Sequence, residues 1–153
     1  MKPLTHLIFG VLFAFILLLI FPAIGLIGFL IILLSSVFID ADHYIYYILK
    51  KKDWDLKNAY DWFVKKEKEF RKLSIEKRKQ FSLPLCFLHT LEFLLIFAVL
   101  SVFSNIFLYI FTGFVFHIFL DSILAAHQGY GHQISTIYSL IKSKKLRDIE
   151  DIK

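Results

Sequence analysis

Two long runs of apolar residues dominate this chain and limit what it can fold into. Residues 7–39 carry no charged side chain, and a second apolar run covers residues 83–126. The whole sequence is 58% hydrophobic with a mean hydropathy of +0.65, which is above the usual composition of a soluble domain. Apolar runs of this length with few or no charges are typical of membrane-spanning segments. The sequence therefore predicts an integral membrane protein.

Each run is too long for one crossing of a bilayer and is interrupted near its middle. As a single helix the first run would measure ~50 Å, against a hydrocarbon core ~30 Å thick. Pro22 and Gly25 interrupt the first run, and Ser104 and Asn105 interrupt the second, at residue types that end helices or form turns. We therefore expect two hairpins with tips near these residues. The four spans are placed at residues 4–21, 23–49, 84–103 and 106–126.

The expected fold class is an all-α integral membrane protein with four transmembrane helices, folded as a single membrane domain over residues 1–153. Between the hairpins, residues 50–82 form a basic segment in which apolar residues recur at helical spacing. This pattern predicts either an amphipathic helix at the membrane interface or a solvated helical linker, and both alternatives stay open. A polar tail covers residues 127–153, with a short helix expected over 134–145.

The basic residues predict how the chain is oriented in the membrane. All 18 Lys and Arg residues lie before the first span, in the middle segment or in the tail, and none lies at a hairpin tip. By the positive-inside rule, both termini and the middle segment are cytoplasmic, in a multi-pass arrangement. This topology explains the net charge of +5, so membrane lipid is the expected partner and nucleic acid is not.

A set of ionisable side chains lies inside or at the edge of the spans, where such groups are costly and usually functional. With a rise of ~1.5 Å per residue, the hairpins place them at one level near the cytoplasmic face, ~18–25 Å from the tips. Asp42 is out of phase with Asp40 on a straight helix, so it requires a kink or a frayed helix end there, or it acts behind the ligands. The set consists of His6, Asp40, Asp42, His43, His89, Glu92, His117 and Asp121.

Imidazoles and carboxylates at one depth predict a site for divalent metal. Nitrogen and oxygen donors suit zinc, with manganese or iron as alternatives. The set is large enough for one or two ions per chain, with a remaining carboxylate as general base or as the partner of a ligand histidine. Cys86 is interpreted as a small apolar residue of the span. His127 and His132 either extend the site or belong to a polar loop, and their roles stay open.

Four short motifs carry a resemblance to a known family. In chain order they are Pro3-Leu4-Thr5-His6, Asp40-Ala41-Asp42-His43, Leu88-His89-Thr90 and His117-Ile118-Phe119-Leu120-Asp121. With these motifs the chain resembles the membrane-bound metal-dependent hydrolases, some bacterial members of which are described as regulated by LexA. The resemblance implies a multi-pass inner-membrane protein whose His and Asp residues bind metal and hydrolyse a substrate. Many relatives have Pro at the position of Ile39 and His-Arg near the position of Pro84-Leu85, so the chain departs from the family pattern there.

The resulting hypothesis is a membrane-embedded metal-dependent hydrolase with its site at the cytoplasmic interface. Its metal ligands would be His6, Asp40, His43, His89, His117 and Asp121, and its catalytic carboxylates Asp42 and Glu92. The pair at His117 and Asp121 also resembles part of zinc-dependent phospholipase C sites, which points to a phosphoester. The depth of the site and the adjacent basic charge point to a lipid. The alternatives are a metal-ion or proton transporter and a non-catalytic small membrane protein.

Overall fold

The chain is built from helices joined by short turns. The computed structural model describes residues 3–78, 80–82, 86–127 and 147–148. The helical class predicted from the sequence is confirmed there, while the short helix expected over 134–145 lies outside the described residues. The α-helices are α1 (Pro3–Ile20), α2 (Gly25–Phe38), α3 (Ala41–Lys51), α4 (Leu56–Lys72), α5 (Ile75–Arg78), α6 (Leu91–Leu100) and α7 (Asn105–His127). Between them lie 3₁₀ turns at Pro22–Ile24 and Phe87–His89, and β1 (Phe81–Ser82) pairs in parallel with β2 (Arg147–Asp148).

The chain divides into two compact units, and the single membrane domain expected from the sequence stays a prediction. The first unit comprises Met1–Asp40 and Leu91–Leu124, and the second comprises Ala41–Thr90 and Ala125–Lys153. One boundary coincides with a break in the helical backbone at residues 39–40, between α2 and α3. The span predicted over residues 23–49 is therefore two helices rather than one continuous helix.

Within the described residues, two segments are long and apolar enough to cross a membrane. One is Pro22–Lys51, with a mean hydropathy of 2.5, and the other is Asn105–His127, with a mean hydropathy of 1.9. The other two predicted spans coincide with shorter apolar helices, Leu4–Ile20 and Leu91–Leu100. The latter helix begins later than the predicted residue 84, because Thr90 has extended backbone angles (φ −101°, ψ 151°) that separate it from the preceding 3₁₀ turn.

Small residues allow three helices of the first unit to approach closely. A Cβ atom at Gly113 on α7 would lie 2.6 Å from the main-chain oxygen of Ile32 on α2. A Cβ atom at Gly10 on α1 would collide with the hydroxyl of Ser36, also on α2. Close backbone contact through glycine and serine is a common mode of helix packing in membranes. Helix α2 is therefore in close contact with both α1 and α7 near Ser36.

A hydrogen-bonded turn joins α3 to α4 in the second unit. The Asp53 carboxylate accepts from the main-chain N–H of Asp55 (2.9 Å), the side-chain amide of Asn58 (2.9 Å) and the hydroxyl of Tyr47 (2.8 Å). These donors, led by the Asp55 N–H, hold the pKa of Asp53 below its usual value. Asp55 also caps α4 by accepting from the N–H groups of Lys57 (2.7 Å) and Asn58 (3.0 Å). The direction in which α4 leaves α3 is thus set by two carboxylates.

Helix α4 supplies the amphipathic character predicted for the basic middle segment. Its buried residues are Ala59 and Phe70, and Phe70 packs against Phe81 of β1. Two of its other apolar residues, Leu56 and Tyr60, are exposed. Within the second unit, the apolar face of α4 is therefore packed at Phe70 near the end of the helix, whereas Leu56 and Tyr60 near its start are exposed.

Candidate metal centre

The predicted site residues form two clusters, and each cluster lies within one unit. The first cluster, in the first unit, consists of His6, Asp40, His117 and Asp121. The second cluster, in the second unit, consists of Asp42, His43, Cys86 and His89. The sequence placed the histidines and aspartates at one depth but did not predict their division between two units.

Asp121 is the centre of the first cluster, because each of its oxygens faces a different imidazole. Oδ1 lies 3.2 Å from Nε2 of His6, and Oδ2 lies 3.2 Å from Nε2 of His117. The two imidazole rings stack with their centroids 3.9 Å apart. A carboxylate placed between two imidazoles in this way could bind one metal ion or bridge two.

The contact on the other side of the His117 ring determines which nitrogen faces the carboxylates. Nδ1 lies 2.7 Å from the main-chain oxygen of Ser36. Because a carbonyl oxygen only accepts, Nδ1 carries the hydrogen. In the neutral ring Nε2 then presents its lone pair towards Asp121 Oδ2 and towards Asp40 Oδ1, which lies 3.5 Å away. Three acceptors in such contact repel one another unless a proton or a metal ion lies among them.

The spacing of these atoms suits a single divalent ion. Zinc binds nitrogen and oxygen at ~2.0–2.2 Å, so two ligand atoms on one ion lie ~3–4 Å apart. Ligand atoms of Asp40, His117 and Asp121 all lie within 4.8 Å of one another. The contacts of 3.2 and 3.5 Å at His117 already fall in the range for two ligands of one ion. These three side chains could therefore hold an ion with little movement.

His6 is buried without the hydrogen bonds that a buried imidazole usually makes. Its side chain is 1% exposed, and neither ring nitrogen has a hydrogen-bond partner among the described residues. The contact of Nε2 with Asp121 is short, but it lacks hydrogen-bond geometry. A buried polar atom left unpaired costs ~1–3 kcal/mol. A cation between His6 and Asp121 would remove this cost by binding both.

The first cluster lies about one helical turn from the contact of α1, α2 and α7. A helix repeats its face every three to four residues, so a side chain one turn from a helix contact points to the same side. On all three chain segments the metal-ligand candidate stands four residues from a small residue of that contact: His6 from Gly10, Asp40 from Ser36, and His117 from Gly113. The close helix packing therefore sets the separation of these candidates one turn away.

Asp42 contacts two imidazoles in the second cluster, as Asp121 does in the first. Its Oδ1 lies 3.1 Å from Nδ1 of His43, and its Oδ2 lies 3.0 Å from Nδ1 of His89. Oδ2 also accepts the main-chain N–H of Leu88 at 2.9 Å. The rings of His43 and His89 meet edge to face, with centroids 4.9 Å apart. One buried carboxylate thus contacts both imidazoles of this cluster.

The backbone break between α2 and α3 explains how two nearby aspartates serve different clusters. On a continuous helix Asp40 and Asp42 would point in different directions from one axis. In the structure Asp40 stands in the break, whereas Asp42 lies in the first turn of α3. The sequence required a kink or a frayed helix end for Asp42 to act as a ligand, and an interruption of the helix is present at residues 39–40.

Cys86 belongs to the second cluster, and its interpretation as a small apolar residue missed this. One ligand atom from each of Asp42, His43, Cys86 and His89 lies within 4.8 Å of all the others. The signal available in the sequence was the spacing Cys86-Phe87-Leu88-His89, since two residues often separate neighbouring ligands in zinc sites.

Three other candidates lie outside the two clusters. Glu92 is half-buried in the first turn of α6, and His127 is exposed at the end of α7. Within the described part of the chain, neither shares a group of mutually close ligand atoms with the clustered residues. His132 lies outside the described residues. The catalytic role of Glu92 stays a prediction, and the roles of His127 and His132 stay open.

The clusters are thus groups of His, Asp and Cys residues within range to hold a metal ion. Imidazole, carboxylate and thiol donors are typical ligands of zinc and of other metals of the first transition series. No family model, curated protein or solved structure matches this chain.

Proposed function

We propose that this chain is a membrane-embedded, metal-dependent hydrolase with its site at the cytoplasmic interface. The observation that carries the proposal is the surroundings of His117. Its Nε2 faces carboxylate oxygens of Asp121 and Asp40 at 3.2 and 3.5 Å, while its Nδ1 bonds the Ser36 main-chain oxygen. Convergence of three acceptors on one point, with a hydrogen bond behind the imidazole, is typical of metal sites.

Each cluster supplies candidate ligands, and the second cluster also supplies an orienting carboxylate. A divalent ion, zinc or alternatively manganese or iron, would supply Lewis-acid chemistry for hydrolysis, with one or two ions per chain. Asp42 orients His89 through Oδ2 and contacts His43 through Oδ1. Glu92 is the carboxylate assigned as general base. The ligands are assigned to His6, Asp40, His117 and Asp121 in the first cluster and to His43 and His89 in the second.

Placement in a membrane is supported by the apolar surface of the first unit. Large hydrophobic side chains are exposed along its helices, and in a bilayer they would face lipid at no hydration cost. We infer four crossings with both termini cytoplasmic, as the distribution of basic residues indicates. Helix α6, with 10 residues, reaches only ~15 Å, so the third crossing includes the turns at its ends. Examples of the exposed residues are Leu12, Phe15, Ile16, Leu26, Ile27, Leu95, Ile96 and Phe119.

The substrate class follows from the surroundings that this placement gives the site. A site at the membrane interface receives lipid headgroups directly. Helix α4 adds exposed lysines, among them Lys57, Lys65 and Lys68, and basic residues near a membrane attract anionic headgroups by ~1 kcal/mol each. A phosphoester of a lipid is therefore the proposed substrate.

Metal analysis beside an activity assay tests the proposal. Purified wild-type protein is compared with His117→Ala, and with Ile123→Ala as a control at an exposed position of the same helix. We expect bound divalent metal in the wild type and in the control and its loss in His117→Ala. We also expect a fluorogenic phosphoester lipid to be hydrolysed only by the two metal-loaded proteins.

The results that would contradict the proposal are distinct from one another. Equal metal content in wild type and His117→Ala would remove the metal site. Metal-loaded protein that hydrolyses no phosphoester, but carries metal into proteoliposomes, would indicate a transporter instead. Absence of both activities and of bound metal would indicate a non-catalytic membrane protein.

A further inference from the structure

We propose that Cys86 is a metal ligand, which makes the second cluster a zinc-type site with a thiolate donor beside His43 and His89. This inference rests on the metal binding in the proposed function, but not on hydrolysis. It assigns a role to the chain's single cysteine and gives the two clusters different donor chemistry.

The backbone around Cys86 places its side chain next to that of His89. Cys86 has extended backbone angles (φ −93°, ψ 100°) and directly precedes the 3₁₀ turn Phe87–His89. The main-chain N–H of His89 donates to the main-chain oxygen of Cys86 at 3.2 Å, which closes the turn. The same two-residue spacing brings neighbouring cysteine and histidine ligands together in many zinc sites.

Asp42 connects this turn to α3 and orients the histidine. Its Oδ2 accepts the N–H of Leu88 at 2.9 Å and lies 3.0 Å from Nδ1 of His89. Because an ionised carboxylate only accepts, Nδ1 of His89 carries the hydrogen and Nε2 is the acceptor nitrogen of the ring. A carboxylate behind the imidazole is the usual support of a metal-binding histidine.

The other oxygen of Asp42 independently points to a cation in this cluster. Asp42 is 5% exposed, and its Oδ1 is buried without a hydrogen-bond partner among the described residues. That oxygen lies 3.1 Å from Nδ1 of His43 without hydrogen-bond geometry. A buried carboxylate oxygen without a donor is costly. A cation held by Cys86 and the histidines would compensate its charge.

The separations in the cluster are close to those of a metal site. Ligand atoms on one zinc ion lie ~3–4 Å apart, given bonds of ~2.3 Å to sulfur and ~2.0 Å to nitrogen. One ligand atom each from Cys86, Asp42, His43 and His89 is within 4.8 Å of the others. A contraction of about 1 Å, within the reach of side-chain rotation, brings the set to these distances.

A sulfur donor determines which ions the second cluster prefers. Thiolate selects zinc and related soft or borderline ions, whereas magnesium, calcium and manganese favour oxygen ligands. The first cluster offers only nitrogen and oxygen. We therefore expect the second cluster to take zinc, cobalt or cadmium and to reject magnesium.

Cobalt binding tests the inference, because a thiolate ligand gives Co²⁺ a sulfur-to-metal charge-transfer band in the near ultraviolet. The full-length protein, stripped of metal by a chelator, is titrated with Co²⁺ as wild type, Cys86→Ser and Phe87→Leu. Phe87 is 56% exposed in the same turn, so its substitution controls for disturbance of the backbone. We expect the band in wild type and Phe87→Leu and its loss in Cys86→Ser. Zinc binding by Cys86→Ser is expected to be weaker by about 10–100-fold.

Alkylation of the wild type supplies a measurement that does not depend on folding of a variant. Zinc is expected to protect Cys86 from a maleimide, and a chelator to restore the reaction. Cobalt bound without the sulfur band, or equal alkylation rates with and without zinc, would overturn the role of Cys86 and leave the proposed hydrolase standing. Wild type that binds no metal at all would overturn both.

Discussion

The imidazole Nδ1 of His117 on α7 donates a hydrogen bond of 2.7 Å to the main-chain oxygen of Ser36 on α2, 81 residues earlier in the chain. The acceptor belongs to the backbone, and the Ser36 hydroxyl itself donates to the main-chain oxygen of Leu33. No side-chain substitution at residue 36 therefore removes the acceptor directly. The orientation of this ring is a property of helix packing, and the ring in turn directs Nε2 at the carboxylates.

Replacement of Asp121 by asparagine tests the centre of the first cluster. The change replaces one carboxylate oxygen with an amide that donates, beside Nε2 atoms of His6 and His117 at 3.2 Å. We expect metal affinity to fall by about 10–100-fold or more, measured by zinc titration against a competing chelator. Asp61→Asn, at an exposed position of α4, is the control and is expected to bind as wild type. Equal affinity of the two variants would remove Asp121 from the site.

Replacement of Gly113 by alanine tests the contact between α7 and α2. The new methyl group would meet the main-chain oxygen of Ile32 at 2.6 Å, so one helix must move. Overpacking of this kind costs about 1–3 kcal/mol, and we expect a lower melting temperature in detergent together with weaker zinc binding. Val115→Ala, at a position 39% exposed on the same helix, is expected to change neither. A stable Gly113→Ala protein with wild-type zinc affinity would contradict the link between packing and metal.

The Asp53 turn predicts a defined dependence of stability on pH. Its hydrogen bonds lower the folded-state pKa of Asp53, below the unfolded value of ~3.9. The stabilisation from Asp53 is therefore fully present above the unfolded pKa and is lost as pH falls through the folded pKa. Melting temperatures of wild type and Asp53→Asn should differ most near neutral pH and converge in acid. A difference that is constant from neutral to acidic pH would show that the charge of Asp53 does not stabilise the turn.

Reporter fusions test the proposed topology. A reporter active only outside the cytoplasm is expected to work after residues 23 and 105, at the two hairpin turns. The same reporter is expected to be silent at the C-terminus and within residues 50–82, where the basic residues lie. Cytoplasmic signal from either turn would break the four-crossing arrangement and place the clusters at a different depth.

Features fixed by local chemistry could be predicted from the sequence. The helix breaks were expected near Pro22 and Ser104. The structure has a 3₁₀ turn at Pro22–Ile24, and the turn between α6 and α7 ends at Ser104. The hydroxyl and main-chain oxygens of Ser104 accept hydrogen bonds from N–H groups in the first turn of α7. The four-residue spacing of His117 and Asp121 likewise placed both on one face, and the structure has them in contact. In each case a few neighbouring residues were enough to determine the result.

Features that depend on contacts between distant segments could not be predicted. The Ser36 main-chain oxygen carries no sequence signal, since every residue has one. The assignment of Asp40 and Asp42 to different clusters required the position of the backbone break, and an apolar run does not reveal where its helix is interrupted. Cys86 had a local signal in its spacing to His89, but only the fold brings Asp42 and His43 to the same place.

The small residues at the α1–α2–α7 contact set the helix spacing on which the first cluster depends, although they are not ligand candidates themselves. Because Gly10, Ser36 and Gly113 each stand one turn from a ligand candidate, the separation of the helix axes is passed on to the donor atoms. Functional sites of this kind tolerate displacements of only about 0.5 Å, which is less than the size of a methyl group. Exposed positions such as Leu12 can exchange one apolar side chain for another, whereas a single carbon added at the contact would displace the ligand candidates. The positions of the ligand candidates thus depend on the absence of larger side chains at Gly10 and Gly113.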